Sequence, residues 1–175
     1  MKRLCLVNGV PASGKSTVAR TVAQATGWPL LTLDTVKEAF FAHLGTGDRG
    51  HNRLLGKASY QAIFSLLADW PDESAAVIDA WFGFQPFDVL QNHLARIGDC
   101  RVMEVWCHAP PDIIGDRYRA RLEQRHSGHL GGEYVSELME LAATAKPLGH
   151  WPLHRVDTSK VLDIAAVLTW IKAAG

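Results

Sequence analysis

The segment Gly9-Val10-Pro11-Ala12-Ser13-Gly14-Lys15-Ser16 constrains the fold of this chain more than any other. It fits G-x-x-x-x-G-K-[ST] at every fixed position, follows the apolar run RLCLVN at residues 3–8, and precedes an amphipathic stretch over residues 16–26. Glycines at both ends let successive backbone N–H groups curl inward, and a helix opening directly afterwards adds the positive end of its dipole. Such a turn cradles phosphate. Lys15 can reach the β- and γ-phosphates, and the Ser16 hydroxyl can coordinate Mg²⁺. Gly9, Pro11, Ala12, Ser13, Gly14 and Thr17 are expected against the same polyphosphate.

Short apolar runs alternate with longer amphipathic ones along the rest of the chain, the pattern of an α/β protein with a parallel sheet. Strands are expected at RLCLVN, at PLLTL closing on Asp34, at AAVIDAW, at RVMEVWC and within HRVDTS. Helices are expected over residues 16–26, 34–44, 53–70, 86–98, 110–125, 133–145 and 161–174. In the third of these, Leu54, Leu55, Ala58, Ala62, Leu66 and Leu67 form the predicted apolar face. GTGDRGHN (45–52) is read as a loop and HSGHLGG (126–132) as a flexible connection. No repeat or linker interrupts the pattern. The expectation is one doubly wound domain over residues 1–175 with a five-stranded parallel sheet.

Charge narrows the partners. Lys+Arg and Asp+Glu both total 18, so the net charge is zero; a protein that grips long nucleic acid usually carries a basic surplus. Three cysteines, Cys5, Cys100 and Cys107, show no metal-type spacing, and two sit in strand-like runs as small buried thiols. The first apolar run is too short for a signal-peptide core, and no run approaches the ~18 apolar residues of a membrane span. A cytoplasmic protein without membrane association is expected.

Triphosphate binding is shared by switches, motors and kinases. Asp79 closes the apolar run AVID, where a carboxylate holds the magnesium shell, although a strand-ending turn residue is also found there. The next residue is Ala80, where many hydrolytic ATPases have a glutamate that orients water. No guanine-reading NKxD and no LSGGQ occurs. Water is therefore disfavoured as the nucleophile. Asp34, after the second strand, belongs at the carboxyl edge of the sheet; it suits either a base for an acceptor hydroxyl or a helix N-cap. Lys37, one turn on, either meets an anionic substrate group or is solvated. Arg117, Arg121 and Arg125 recur every four residues along one predicted helix face, as in a lid over phosphates. His126 and His129 lack a third ligand for a metal site. The AWFGFQPF segment (80–87) places Trp81 and Phe82 beside the phosphoryl site, and Arg49, His51 and Arg53 could grip an anionic acceptor.

Taken together, GVPASGKST, LLTLD, AVIDA, RYRARLEQR and the terminal VDTS resemble the P-loop small-molecule kinases: chloramphenicol phosphotransferase, gluconate kinase, shikimate kinase and the zeta-toxin-like, AAA-type kinases. The resemblance covers nearly the whole chain. It implies a nucleoside-monophosphate-kinase-like fold with a short arginine-rich lid near residues 112–135. It also implies ATP and Mg²⁺ as cofactors, with a small-molecule hydroxyl acceptor. Asp34 is then the catalytic base, with Lys15, Arg121 and Arg125 at the γ-phosphate and Ser16 and Asp79 at the metal. Arg117 would lie against the adenine, bordered by Asp157, Thr158 and Ser159. Lys37, Arg49, His51, Arg53, Trp81 and Phe82 would meet the acceptor. Such a chain is expected as a monomer or homodimer. A rival class is a nucleotide-binding switch or weak ATPase acting through protein contacts, which the missing carboxylate at Ala80 disfavours. A polynucleotide 5′-hydroxyl kinase is disfavoured by the zero net charge.

Overall fold

The computed structural model describes residues 1–174; Gly175, the last position of the expected domain, lies outside the described residues. Strand β1 (Lys2–Asn8) is buried at every position but Arg3 and takes the centre of a five-stranded sheet ordered β2-β3-β1-β4-β5. Its companions are β2 (Leu30–Thr32), β3 (Ala75–Ala80), β4 (Cys100–His108) and β5 (Leu153–Asp157), all parallel. Alternation sends Leu4 and Leu6 to one face with Ala76 and Ile78, and Cys5 and Val7 to the other with Val77, Met103, Val105 and Cys107. A sheet apolar on both faces needs helices on both. Helices α3 (Arg49–Asp69) and α4 (Phe87–Ile97) cover the first face, and α1 (Lys15–Thr26) and α7 (Ile164–Ala174) the second. Helix α2 (Leu33–Leu44) packs along α3. A third apolar cluster of Val10, Ile114, Tyr118, Val135 and Leu138 joins α5 (Pro111–Arg119) and α6 (Val135–Thr144) to the phosphate loop. The doubly wound expectation holds.

Every strand ends on the same edge, with Asp79 paired in register to Val7 and Thr32, and His108 to Asp157. A buried carboxylate stiffens that edge. Glu104 is wholly buried, and its Oε1 accepts from Asn8 Nδ2 at 2.8 Å and from the Leu148 N–H at 2.9 Å. Oε2 accepts from the Gly149 N–H at 3.0 Å, and Asn8 Oδ1 accepts from the Phe82 N–H at 3.1 Å. The turn after β3 is thereby fastened to the end of β1.

Several local expectations are corrected. β2 stops at Thr32, so Asp34 does not close a strand; it sits in the first turn of α2, and Thr32 is the N-cap residue. The second half of the predicted 45–52 loop is helical. Asp48 caps α3 by accepting from the His51 N–H at 2.8 Å, which draws Arg49 and His51 into the helix. The buried face of α3 is Leu55, Ser59, Tyr60, Ile63, Phe64 and Leu67, whereas Leu54 and Leu66 are 61% and 55% exposed. Apolar residues lie all around this helix, and the Tyr60–Phe64 pair, 4.8 Å between centroids, decides which side turns inward. Finally, α5 ends at Arg119. Tyr118 packs in the third cluster and its hydroxyl donates to the Leu130 carbonyl at 2.6 Å, tying the chain back on itself. Arg121 and Arg125 therefore flank a short 3-10 turn (Leu122–Gln124) rather than extending one helical face with Arg117.

Candidate active site

The phosphate loop is held by close approaches that its sequence permits. A Cβ on Gly9 would lie 2.4 Å from Ser13 Oγ and 2.5 Å from the Cys107 carbonyl oxygen. Gly14 adopts φ +81° at the N-cap of α1, and Ala12 takes φ +62°, a left-handed conformation that costs a non-glycine residue about 1–2 kcal/mol. Lys15 Nζ lies 3.5 Å from the Val10 carbonyl oxygen, placing the ammonium over the loop. From the other side Thr158 braces it: its hydroxyl donates to the Ser13 carbonyl at 2.7 Å, and its N–H to the His108 carbonyl at 2.8 Å. Arg117 donates to the Thr158 hydroxyl at 3.0 Å and carbonyl at 2.7 Å. The Asp157 carboxylate is engaged locally. It accepts from the Ser159 hydroxyl at 2.6 Å and pairs with Lys160, and these bonds hold its pKa down at about 2.

A cleft of about 300 Å³ opens beside the loop. Of the predicted site residues, Pro11, Ala12, Gly14, Lys15, Ser16, Thr17, Asp34, Lys37, Arg49, Arg53, Asp79, Trp81, Arg121 and Arg125 line it. Gly9 and Ser13 support the loop from beneath, and Arg117, Asp157, Thr158 and Ser159 sit outside the lining. Two acceptor candidates are displaced. Phe82 is in the core against Tyr60, and Phe84 takes the cleft position instead. His51 turns its Nε2 to within 3.2 Å of the Gly45 carbonyl, away from the cleft.

Asp79 is 2% exposed and its Oδ1 has no hydrogen-bond partner among the described residues. Burial pushes its pKa up, opposed chiefly by the Lys15 ammonium and a hydrogen bond from the Ser16 hydroxyl, while Asp34 adds to the rise. An orphaned buried carboxylate oxygen beside a serine hydroxyl is a donor set that fits Mg²⁺, a hard cation that takes oxygen ligands.

The remaining walls come from residues distant in sequence. Lys37 is buried, not solvated; its Nζ donates to Asn52 Oδ1 at 2.7 Å, and burial lowers its pKa against the opposing pull of Asp34. Asn52 Nδ2 in turn donates to the Gly128 carbonyl. His129, whose pKa burial lowers, hydrogen-bonds Glu38 at 2.8 Å and meets the edge of Phe41, on whose face His126 stacks. Arg49 pairs with Glu137 at 2.5 Å. Residues 126–137 are thus fastened across α2 and α3, closing the cleft on the side away from the sheet. Arg125 lies over the Tyr118 ring at 4.7 Å. Burial, then Arg125 and Arg117, disfavours the charge on Arg121; a guanidinium keeps its proton regardless, so the cluster stores repulsion that a polyanion relieves. Asn52, Tyr118 and Tyr134 also line the cleft; none stands out in the sequence, since single polar and aromatic residues in helical runs read as surface or core. Among the described residues no His/Cys/Asp/Glu cluster forms a conventional metal centre and no helix is long and apolar enough to cross a membrane. Cys5 and Cys107 are buried free thiols with pKa values pushed up to about 12 by burial.

This geometry has counterparts. The sequence pattern of the AAA domain family matches residues 4–142. An uncharacterized protein of Mycobacterium tuberculosis is 28% identical over an alignment of 169 residues that covers 90% of this chain and 32% of that protein. The chain thus spans about a third of the length of the curated relatives it matches. A solved structure of a "putative kinase" from Chloroflexus aurantiacus superposes with TM-score 0.86 at 26% identity, over 99% of this chain and 98% of that one. A gluconokinase from Sinorhizobium meliloti superposes with TM-score 0.60 at 18% identity, over 99% and 90%. At that identity the likeness is one of fold.

Proposed function

The chain belongs to the AAA domain family and folds as a P-loop kinase does, and from that premise we propose that it is an ATP- and Mg²⁺-dependent phosphotransferase acting on a hydroxyl of a small molecule. The observation that carries this reading is that Asp34, Lys15 and Asp79 line the same small cleft as Arg121 and Arg125, with an aromatic wall of Trp81 and Phe84 opposite. A cleft of about 300 Å³ suits a metabolite rather than a polymer.

In this mechanism the loop amides and Lys15 hold the triphosphate, and Arg117 and Thr158 keep the loop in shape. Ser16 and the unpartnered Asp79 oxygen would hold Mg²⁺, which when bound would neutralise charge on the phosphates. Asp34, in the first turn of α2, orients the acceptor hydroxyl and takes its proton as the oxygen bonds the γ-phosphorus. The bond from that phosphorus to the β–γ bridging oxygen breaks, and ADP leaves. Arg121 and Arg125 stabilise the transferring group, and residues 112–135 serve as the lid that excludes water.

The test is ADP production across a panel of hydroxyl metabolites, with Lys15→Ala as the blank. Asp34→Asn is expected to lower turnover roughly 100- to 10,000-fold while ATP still binds. Acceptor-independent hydrolysis that no metabolite stimulates would overturn the reading.

A further inference from the structure

Lys37 is a buried cation that no carboxylate contacts directly; Asp34 and Glu38 act on its charge only from a distance. It is 9% exposed and forms no ion pair among the described residues. Its contacts are one neutral amide oxygen, Asn52 Oδ1 at 2.7 Å, and the face of Phe41 at 5.5 Å. Buried ammonium groups are normally paired, because one dipole does not offset the lost hydration of a full charge. The ammonium nonetheless lines the cleft, so a ligand can reach it. Neighbouring cations are differently engaged: Arg49 is neutralised by Glu137 at 2.5 Å, and Arg53 gives one N–H to the Phe84 carbonyl at 3.3 Å. The donor phosphates already have Lys15, Arg121 and Arg125. A positive charge that no carboxylate contacts therefore remains in the cleft.

Asn52 fixes where that charge points. Its amide has one orientation that satisfies both neighbours, oxygen toward the Lys37 ammonium and NH₂ toward the Gly128 carbonyl. Lys37 is thereby held in place and joined to residues 126–130 of the lid. It also follows Asp34 by three residues on α2, so both side chains leave the same helix face about one turn, roughly 5 Å, apart.

We propose that Lys37 is the anion subsite of the acceptor, and that the acceptor is a compact hydroxyl compound carrying a carboxylate or phosphate a few bonds from the phosphorylated oxygen. The negative group pairs with the Lys37 ammonium while the hydroxyl faces Asp34, and Trp81 and Phe84 cover the carbon skeleton. Asn52 is a positioning residue that aims the ammonium. The proposal rests on the phosphotransferase reading above and adds the substrate class to it.

The experiment compares matched probes: glycerate with glycerol, D-gluconate with D-glucose, and D-glucose 6-phosphate with D-glucose. ADP production is measured for the native protein, Lys37→Met and Asn52→Ala. In parallel, calorimetry measures binding of each probe to protein saturated with ADP and Mg²⁺. An anionic member is expected to be preferred by at least roughly 10-fold in kcat/KM and in affinity, and Lys37→Met to abolish that preference while ADP affinity holds. Asn52→Ala should raise KM for the anionic probe several-fold without raising it for the neutral one, a split that general loosening of the fold does not produce. The carboxylate and phosphate pairs decide which anion is accepted. Equal use of neutral and anionic members, or a preference that survives Lys37→Met, overturns the subsite and leaves the kinase reading intact. Lys37-dependent anion binding without any ADP formation upholds the subsite and overturns the kinase reading. Absence of any anion binding overturns the proposal, as does a Lys37→Met defect confined to the nucleotide.

Discussion

Replacing Asp79 by asparagine should stabilise the nucleotide-free protein and abolish its activity. The side chain is 2% exposed at the end of β3, its Oδ1 has no partner among the described residues, and the Ser16 hydroxyl and Lys15 ammonium are what favour its charge. Asparagine keeps the shape and the acceptor for Ser16 but replaces an unpaired charged oxygen with a neutral amide. The difference between those burial costs is about 1–2 kcal/mol, equivalent to roughly 2–8 °C in Tm for a chain of this size. The pH dependence provides an internal check. Burial raises the folded-state pKa of Asp79 above that of the unfolded chain. Its contribution to stability is thus fully present only below the unfolded pKa and is lost as pH rises through the folded one. The advantage of Asp79→Asn is therefore expected to be largest at pH 7–8 and to shrink as pH falls through the raised pKa. Thermal and urea unfolding between pH 5 and 8 measure this. Adding ATP and Mg²⁺ reverses the order, because ligand at 100 times its Kd stabilises the native protein by about 2.7 kcal/mol, whereas the variant gains less. A variant less stable than the native protein at pH 7.5 without nucleotide, or a gain independent of pH, would refute the reasoning.

Other consequences follow from particular contacts. Gly9→Ala drives a Cβ into Ser13 Oγ and the Cys107 carbonyl, and should cost about 1–3 kcal/mol in urea unfolding together with the nucleotide-induced Tm rise. Arg121→Ala should lower kcat roughly 100- to 1,000-fold in the coupled assay, with a smaller change in KM for ATP. Glu104→Gln turns an amide N–H toward one of three donors, those of Asn8, Leu148 and Gly149, and should lower Tm by about 4–12 °C. His129 is held neutral by burial, so the stability it contributes is present above the ordinary histidine pKa of about 6.5 and lost as pH falls below it. His129→Gln should flatten the loss of stability between pH 6.5 and 5, as read by thermal unfolding.

The phosphate loop, the doubly wound sheet and the strand-end position of Asp79 are legible in the sequence. Each depends on interactions within one short segment: glycines that permit a curled backbone, a period of two that buries both strand faces, a carboxylate directly after an apolar run. The sequence also puts Asp34, Lys37 and Trp81 near that edge, because in a parallel sheet every strand ends on the same side. Packing between distant segments supplies what no local pattern encodes. Residues 126–137 cross α2 and α3 through His129–Glu38, Asn52–Gly128 and Arg49–Glu137, pairs separated by 76 to 91 residues. Phe82 and Phe84 are two residues apart, equally apolar and both against Tyr60, yet Phe82 is buried in the core and Phe84 lines the cleft. The arginines spaced for a single helix face are separated because Tyr118 hydrogen-bonds Leu130 and α5 ends. A lysine that could equally have been solvated is buried beside Asn52. Chemistry that needs only neighbouring residues is written in the sequence. The side of the cleft away from the sheet is assembled from distant segments, so its chemistry exists only once the chain has packed.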